Sequence, residues 1–292
     1  EPGKGPGEYI RLWDFFIDKT KNRVAIFDQS QAKIIEYSYD GEFLNEFHVR
    51  CCPTEVKKIK DSYYFSDVSM AVDTIIHEYN GNDIINSITK KDLCLEEYTE
   101  HVLHRQSLTM FDDSITYWTE LNNYVFRIKD GKVLKRYLFD YGKYSYEIKK
   151  SKDANQDLSR YESHGTVERF IETKNYIFIN SGFKNYAKHI LYDKKTKLAS
   201  VVDNQICNRN PFFNNFSFVN TKDGLVNFWP DIDGKINDTM LYQTFYAYNF
   251  KESNFCDPEG EVQKSKNIQL QKIIDESSDT DNPVIMIITL KQ

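Results

Sequence analysis

Long apolar runs are missing from this sequence of 292 residues; the longest, Val284–Thr289, is far short of the ~20 residues that a spanning helix requires. With 28% charged residues and a mean hydropathy of −0.61, the chain is not an integral membrane protein of the helical kind. A basic excess is missing too: 38 Lys and Arg against 44 Asp and Glu leave a formal net charge of −6. That balance argues against a nucleic-acid partner, which needs a concentrated basic face. The five cysteines (Cys51, Cys52, Cys94, Cys207 and Cys256) include no CxxC pair, which removes zinc knuckles and thioredoxin-type redox motifs. Adjacent Cys51 and Cys52 would form only a strained vicinal disulfide, so reduced, packed thiols are expected. The sequence opens Glu1-Pro2-Gly3-Lys4, without a basic n-region or an apolar h-region. We read this as a chain that starts within a longer protein rather than one carrying its export signal. Neither a Gly-x-Ser-x-Gly elbow nor a His-Glu-x-x-His zinc motif occurs.

What the sequence has in quantity is aromatic side chains: 20 Tyr, 20 Phe and 3 Trp, 15% of the chain. That is too many for a disordered chain, and together with the β-branched residues it favours strands. A hairpin signal recurs as Ile34-Ile35-Glu36-Tyr37-Ser38-Tyr39-Asp40-Gly41, as Ile75-Ile76-His77-Glu78-Tyr79-Asn80-Gly81, and as Tyr124-Val125-Phe126-Arg127-Ile128-Lys129-Asp130-Gly131. A fourth copy, His189-Ile190-Leu191-Tyr192-Asp193-Lys194, lacks the glycine. Asp-Gly and Asn-Gly supply the positive φ angles of two-residue hairpin turns, so each copy reads as strand, turn, strand. Another strand pair precedes each hairpin, at 13–18 with 24–28, 56–60 with 63–66, 108–111 with 115–119, and 167–172 with 176–180.

Four strands per unit, repeating every ~40–60 residues, is the pattern of a β-propeller. The expected fold class is all-β: four-stranded blades beginning near residues 10, 54, 107, 166 and 213, each burying both faces against its neighbours. The polar stretch 141–164 reads as a loop insertion, 265–276 as a short helix, 275–281 as an acidic linker and 283–291 as a closing strand. The whole chain, 1–292, is expected to be one propeller domain with about five blades visible.

The string Gly3-Lys4-Gly5-Pro6-Gly7-Glu8-Tyr9, followed by Asp14-Phe15-Phe16-Ile17-Asp18 and a Tyr-Asp-Gly hairpin, resembles the six-bladed β-propeller proteins of Bacteroidetes, relatives of the NHL-repeat group. The ending Asp281-Asn282-Pro283-Val284-Ile285-Met286-Ile287-Ile288-Thr289-Leu290-Lys291 is similar to that family's last strand. The resemblance implies a six-bladed ring and an exported lipoprotein of the cell envelope (periplasm or outer membrane). It also implies that the signal, anchor and first blade lie upstream of Glu1. It brings no chemistry, because its members are mostly uncharacterised.

Loops on a rigid scaffold are the usual carriers of binding groups. The inter-blade connections hold Arg50, His104 with Arg105, Arg160 with His164, and Arg209 with Asn210. Converging guanidinium forks would make an anion site, since they match carboxylate or phosphate oxygens. Trp118, Tyr186 and Trp229, near loops that join second to third strands, could stack a sugar or an apolar side chain. His101 and His104, with Glu97 or Glu100, make half a zinc site, and Asp231-Ile232-Asp233-Gly234 is only a fragment of a calcium loop, so neither metal nor cofactor is expected. His77 and His189 read as blade-face residues. The function expected is a non-enzymatic, monomeric binding module that takes a peptide, glycan or envelope protein at its channel mouth. The alternatives are a calcium-dependent hydrolase or lactonase, and a purely structural scaffold.

Overall fold

The computed structural model describes residues 2–19, 21–50, 53, 55–67, 72–96, 106–119, 123–144, 165–183, 186–202, 218–219, 227–228, 230, 235–245, 268, 272, 275–276, 278 and 284–290. The fold is all-β and of the propeller class, with four-stranded antiparallel blades. The chain divides into two compact units, Glu1–Tyr161 and Glu162–Gln292.

The first unit holds three blades, each an antiparallel meander in chain order. Blade 1 is β1 (Leu12–Asp18), β2 (Arg23–Asp28), β3 (Lys33–Ser38) and β4 (Phe43–His48). Blade 2 is β5 (Glu55–Ile59), β6 (Ser62–Ser66), β7 (Thr74–Asn80) and β8 (Asp83–Thr89). Blade 3 is β9 (Gln106–Phe111), β10 (Ser114–Thr119), β11 (Tyr124–Lys129) and β12 (Lys132–Leu138), followed by a 3-10 turn at Gly142–Tyr144. Blade 3 shows why the repeat is readable. Its last hairpin pairs Lys129 with Lys132 across Asp130 and Gly131, whose φ angles are 50° and 71°. These are the left-handed values that a two-residue turn demands.

Alternation along the strands decides which residues pack between blades. On β1, Asp14, Phe16 and Asp18 face blade 2, where Phe16 meets Tyr63 edge-on with ring centroids 6.0 Å apart. Ala25, Phe27, Ile34, Phe47 and Val49 of blade 1 complete one core with Val56, Tyr63, Phe65 and Tyr79 of blade 2. The core between blades 2 and 3 is more aliphatic, built around Ile75, Ile76, Ile88, Leu93, Leu95, Leu108 and Ile115, with Tyr64, Tyr117 and Phe126. First strands of successive blades are neighbours, β1 beside β5 and β5 beside β9. Ion pairs join the first two, Lys58 to Asp18 at 2.6 Å and Lys57 to Asp14 at 3.7 Å.

The other face of blade 1 departs from the expectation that each blade is covered by its neighbours. There Trp13, Phe15 and Ile17 are 42%, 57% and 57% exposed. Farther out on the same face, residues 2–11 run across the blade, and Ile26 and Ile35 are buried.

The second unit contains blade 4, made of β13 (Thr166–Glu172), β14 (Tyr176–Phe183), β15 (Tyr186–Asp193) and β16 (Leu198–Val202). It also contains a two-stranded ladder, β17 (Phe218–Val219) with β18 (Asn227–Phe228). A three-stranded sheet follows, ordered β19 (Lys235–Asn237), β20 (Met240–Phe245) and β21 (Val284–Thr289). Ile171 and Phe178 of blade 4 pack with Leu241 of β20, against Ile288 and Leu290. Without a glycine, the last hairpin of blade 4 turns through Lys197 at φ 60°, and the Asp193 carboxylate accepts from the Lys195 and Thr196 amides. In the segment expected to be a short helix, Ile268, Lys272, Asp275 and Glu276 are helical, but the rest lies outside the described residues, so no helix is delimited. Among the described residues, no helix is long and apolar enough to cross a membrane.

Candidate functional site

In a meander blade, the connection from the preceding blade and the loop between second and third strands emerge at the same end. Arg50 lies on the connection from β4 to β5, exposed, with its backbone amide donating to the Tyr79 hydroxyl at 2.9 Å. Trp118 is within β10 and only 2% exposed, and its indole Nε1 has no hydrogen-bond partner among the described residues. Tyr186 begins β15 and pairs with Phe183 across the loop. His104, Arg105, Arg160, His164, Arg209, Asn210 and Trp229 lie outside the described residues, as do Cys51, Cys52, Cys207, Cys256 and Asp231. Among the described residues, no hydrogen bond joins Arg50 to Trp118, and the Tyr186 side chain lies outside the description.

Sequence reasoning passed over Arg11, on the run into β1. Its guanidinium sits 5.0 Å from the Trp13 ring centroid, with both side chains exposed. An Arg immediately before a first strand, two residues from an aromatic, was the available signal.

Beside it, the loop from β2 to β3 is organised by Asp28, which is fully buried. Its carboxylate accepts from the amides of Ile10 (2.7 Å), Arg11 (3.3 Å), Ser30 (2.9 Å) and Gln31 (3.3 Å), and from Gln31 Nε2 (2.7 Å). Burial pushes its pKa up, but these donors outweigh it and hold the acid below the ordinary carboxylate range.

Two buried tyrosine–carboxylate pairs lie deeper. Tyr63 of β6 donates to Glu36 of blade 1 at 2.9 Å, and Glu36 also takes Arg23 at 2.7 Å. Tyr64, the next residue, donates to Glu78 of its own blade at 2.7 Å. Burial and the facing carboxylate raise both phenols. His77 and His189 are on blade faces; burial lowers the pKa of His77, and burial with Arg169 nearby lowers that of His189 to about 3. The two tyrosines and their carboxylates bind one another. Among the described residues, no group of three His, Cys, Asp or Glu side chains could hold a metal ion.

Ser114, the first residue of β10, is buried. Ser114 Oγ donates to the Phe111 carbonyl at 2.5 Å and accepts from Arg127 Nε at 2.9 Å.

Residues 1–289 match the model of a family described as Domain of unknown function (DUF4934). Among solved structures, the chain is similar to a Bacteroides fragilis protein inferred to be exported. The two share 17% identity with a TM-score of 0.66, over 99% of this chain and 80% of that one. A Bacteroides vulgatus protein, a member of the duf4221 family, aligns at 7% identity with a TM-score of 0.44, over 67% of each chain. The first likeness supports the fold; the second, at that score, adds nothing to it. No curated protein matches the sequence.

Proposed function

The chain belongs to the DUF4934 family of domains of unknown function, and from that premise we propose that it is a non-enzymatic binding module. The ligand is a peptide, a glycan or an envelope protein, held by inter-blade connections at one end of the blades. The observation that carries this reading is the placement of exposed cations on successive connections: Arg11 over Trp13 before β1, and Arg50 before β5. Arg105, Arg160, Arg209 and Asn210 extend the series on the later connections, with Tyr186 and Trp229 as the aromatic complement; Trp118, being buried, is left out of it. We take the whole chain as one domain of a six-bladed ring; the bare Trp13, Phe15 and Ile17 on blade 1 support this, as a surface suited to a further blade. A cell-envelope location, lipid-anchored, is the accompanying proposal, supported by the inferred export of the Bacteroides fragilis protein.

The test is titration of the chain with glycans, peptides and small anions. Arg50→Ala and Arg11→Ala are each expected to weaken the ligand about tenfold, the loss of one charge-assisted contact. Unchanged affinity in both, and in Arg105→Ala and Arg209→Ala, would remove the arginine site.

A further inference from the structure

The outer strand of a blade has a partner on one side only, so its other edge offers unpaired N–H and C=O groups to any strand that reaches it. Blades 1 to 3 blunt that edge with charge and with a bulge. β4 carries Glu46 and bulges between its pairings to Glu36 and Tyr37. β8 begins at Asp83 and bulges between its pairings to Glu78 and Tyr79. β12 carries Lys132, Lys135 and Arg136 and bulges between its pairings to Val125 and Phe126.

Strand β16 of blade 4 has neither device. Leu198, Ala199, Ser200, Val201 and Val202 include no charge and no proline, and they pair with β15 in unbroken register from Leu198 on Asp193 to Val202 on His189. Both faces of the strand are open: Leu198 on one and Val201 on the other are 66% and 53% exposed. A flat, apolar, exposed edge is the kind that takes an added strand.

The sequence around β16 indicates which strand. From Lys197 to Asp203 it reads Lys-Leu-Ala-Ser-Val-Val-Asp. In an antiparallel pair of two copies about a two-fold axis at Ser200, Ala199 falls opposite Val201, Leu198 opposite Val202 and Lys197 opposite Asp203. Apolar residues then meet apolar residues, and each charge meets its opposite. A slip of two residues sets Lys197 against Val201 in one direction and Asp203 against Ala199 in the other. Self-complementarity about one axis is what an isologous contact requires.

We propose that β16 is a self-association edge, on which a second copy of this chain lays its own β16 antiparallel, joining two blades into one continuous sheet. The dimer replaces the monomer expected from the sequence. It stands apart from the loop arginines, because mass and ligand affinity are separate measurements. The contact is short, which places the dimer among the weak, reversible ones that dissociate on dilution.

The test is sedimentation of the full chain over a wide concentration range, where the mass is expected to rise towards that of a dimer. Lys197 is exposed, and aspartate is among the residues that adopt its φ of 60°. Lys197→Asp sets like charges opposite each other at both ends of the contact and is expected to weaken the dimer about tenfold. Adding Asp203→Lys exchanges the pair and should restore the native affinity, which a folding defect would not allow. A chain that stays monomeric throughout, a dimer unmoved by Lys197→Asp, or one that the exchange fails to restore overturns the proposal. Ser200→Cys gives an independent measurement, since the axis brings that position within disulfide reach of its own copy. Oxidation should crosslink this variant beyond the level of the native chain, whose Cys94 is exposed. Val201→Cys, offset from its copy, should not crosslink, and equal crosslinking at both positions overturns the pairing.

Discussion

The two faces of blade 2 solve the same problem differently. Tyr63 and Tyr64 are consecutive on β6, so the pleat sends one to each side of the sheet. Toward blade 1, Tyr63 joins Phe65 and Tyr79 among Phe16, Phe27 and Phe47, and its hydroxyl crosses to Glu36 of the neighbouring blade. Toward blade 3, Tyr64 lies among isoleucines and leucines, and its hydroxyl stays within the blade, on Glu78. One pair ties two blades together, and the other gives a buried carboxylate a hydrogen-bond donor from its own blade. The partners left behind differ as well. Glu36 keeps Arg23 at 2.7 Å, whereas Glu78 has Asn86 at 3.5 Å, the limit of a hydrogen bond.

The aromatic face carries the larger packing stake. Phe65 is fully buried, with ring centroids 6.0 Å from Phe27 and 5.1 Å from Tyr79. Phe65→Ala is expected to cost about 3–5 kcal/mol, lost contacts plus cavity, by denaturant unfolding. A loss below about 1 kcal/mol would mean that the seam between blades 1 and 2 closes over the gap.

The paired tyrosines rank next and test the comparison directly. Tyr64→Phe should cost about 2–3 kcal/mol, because the Glu78 carboxylate loses its short, charge-assisted bond. Tyr63→Phe should cost about 1–2 kcal/mol, since Arg23 still holds Glu36. The reverse order would show that the cross-blade bond, not the residual partner, sets the cost.

Near neutral pH the smallest effect expected is the contribution of His189, which is 4% exposed on blade 4. Its folded pKa is depressed to about 3 from 6.5, so between those values the unfolded chain binds a proton that the folded chain refuses. Stability therefore falls as pH drops through that window, and His189→Asn should flatten the slope there. His77, on the aromatic face of blade 2, has a pKa lowered in the same direction. An unchanged slope in the His189 variant would assign the dependence to other groups, with His77 the next to replace.

Legibility followed locality. The hairpins at Asp130-Gly131 and Asn80-Gly81 could be read because a glycine marks the turn that needs it. The strand pair around Asp112-Asp113 was read too, but no glycine marked its turn, where both residues have positive φ, 51° and 49°. An aspartate tolerates that region only weakly, and here Arg127 of β11 holds the Asp112 carboxylate at 2.8 Å. Trp118 was read as loop-adjacent from its place near the end of β10, yet it is buried. Distance along the strand says where a residue sits; which face of the sheet it occupies, and what covers that face, depends on the neighbouring elements. The same holds for the glycine-rich string, whose sequence stood out while its partners, Asp28, Gln31, Lys33, Tyr37 and Glu46, are scattered across three strands and a loop.

By itself the sequence determined the class of fold, because strand alternation, aromatic content and turn glycines act within a few residues of each other and need no distant partner. It also showed no excess of basic residues and neither of the two catalytic motifs sought, the Gly-x-Ser-x-Gly elbow and His-Glu-x-x-His. Only the tertiary structure decided that Glu36 answers Tyr63 rather than its own strand neighbours, that Arg11 stacks on Trp13, and that the main chain of the glycine-rich string is held by Asp28, Gln31, Lys33, Tyr37 and Glu46. Those pairings join residues far apart in the chain, and their energies come from burial and geometry that exist only after the blades have packed.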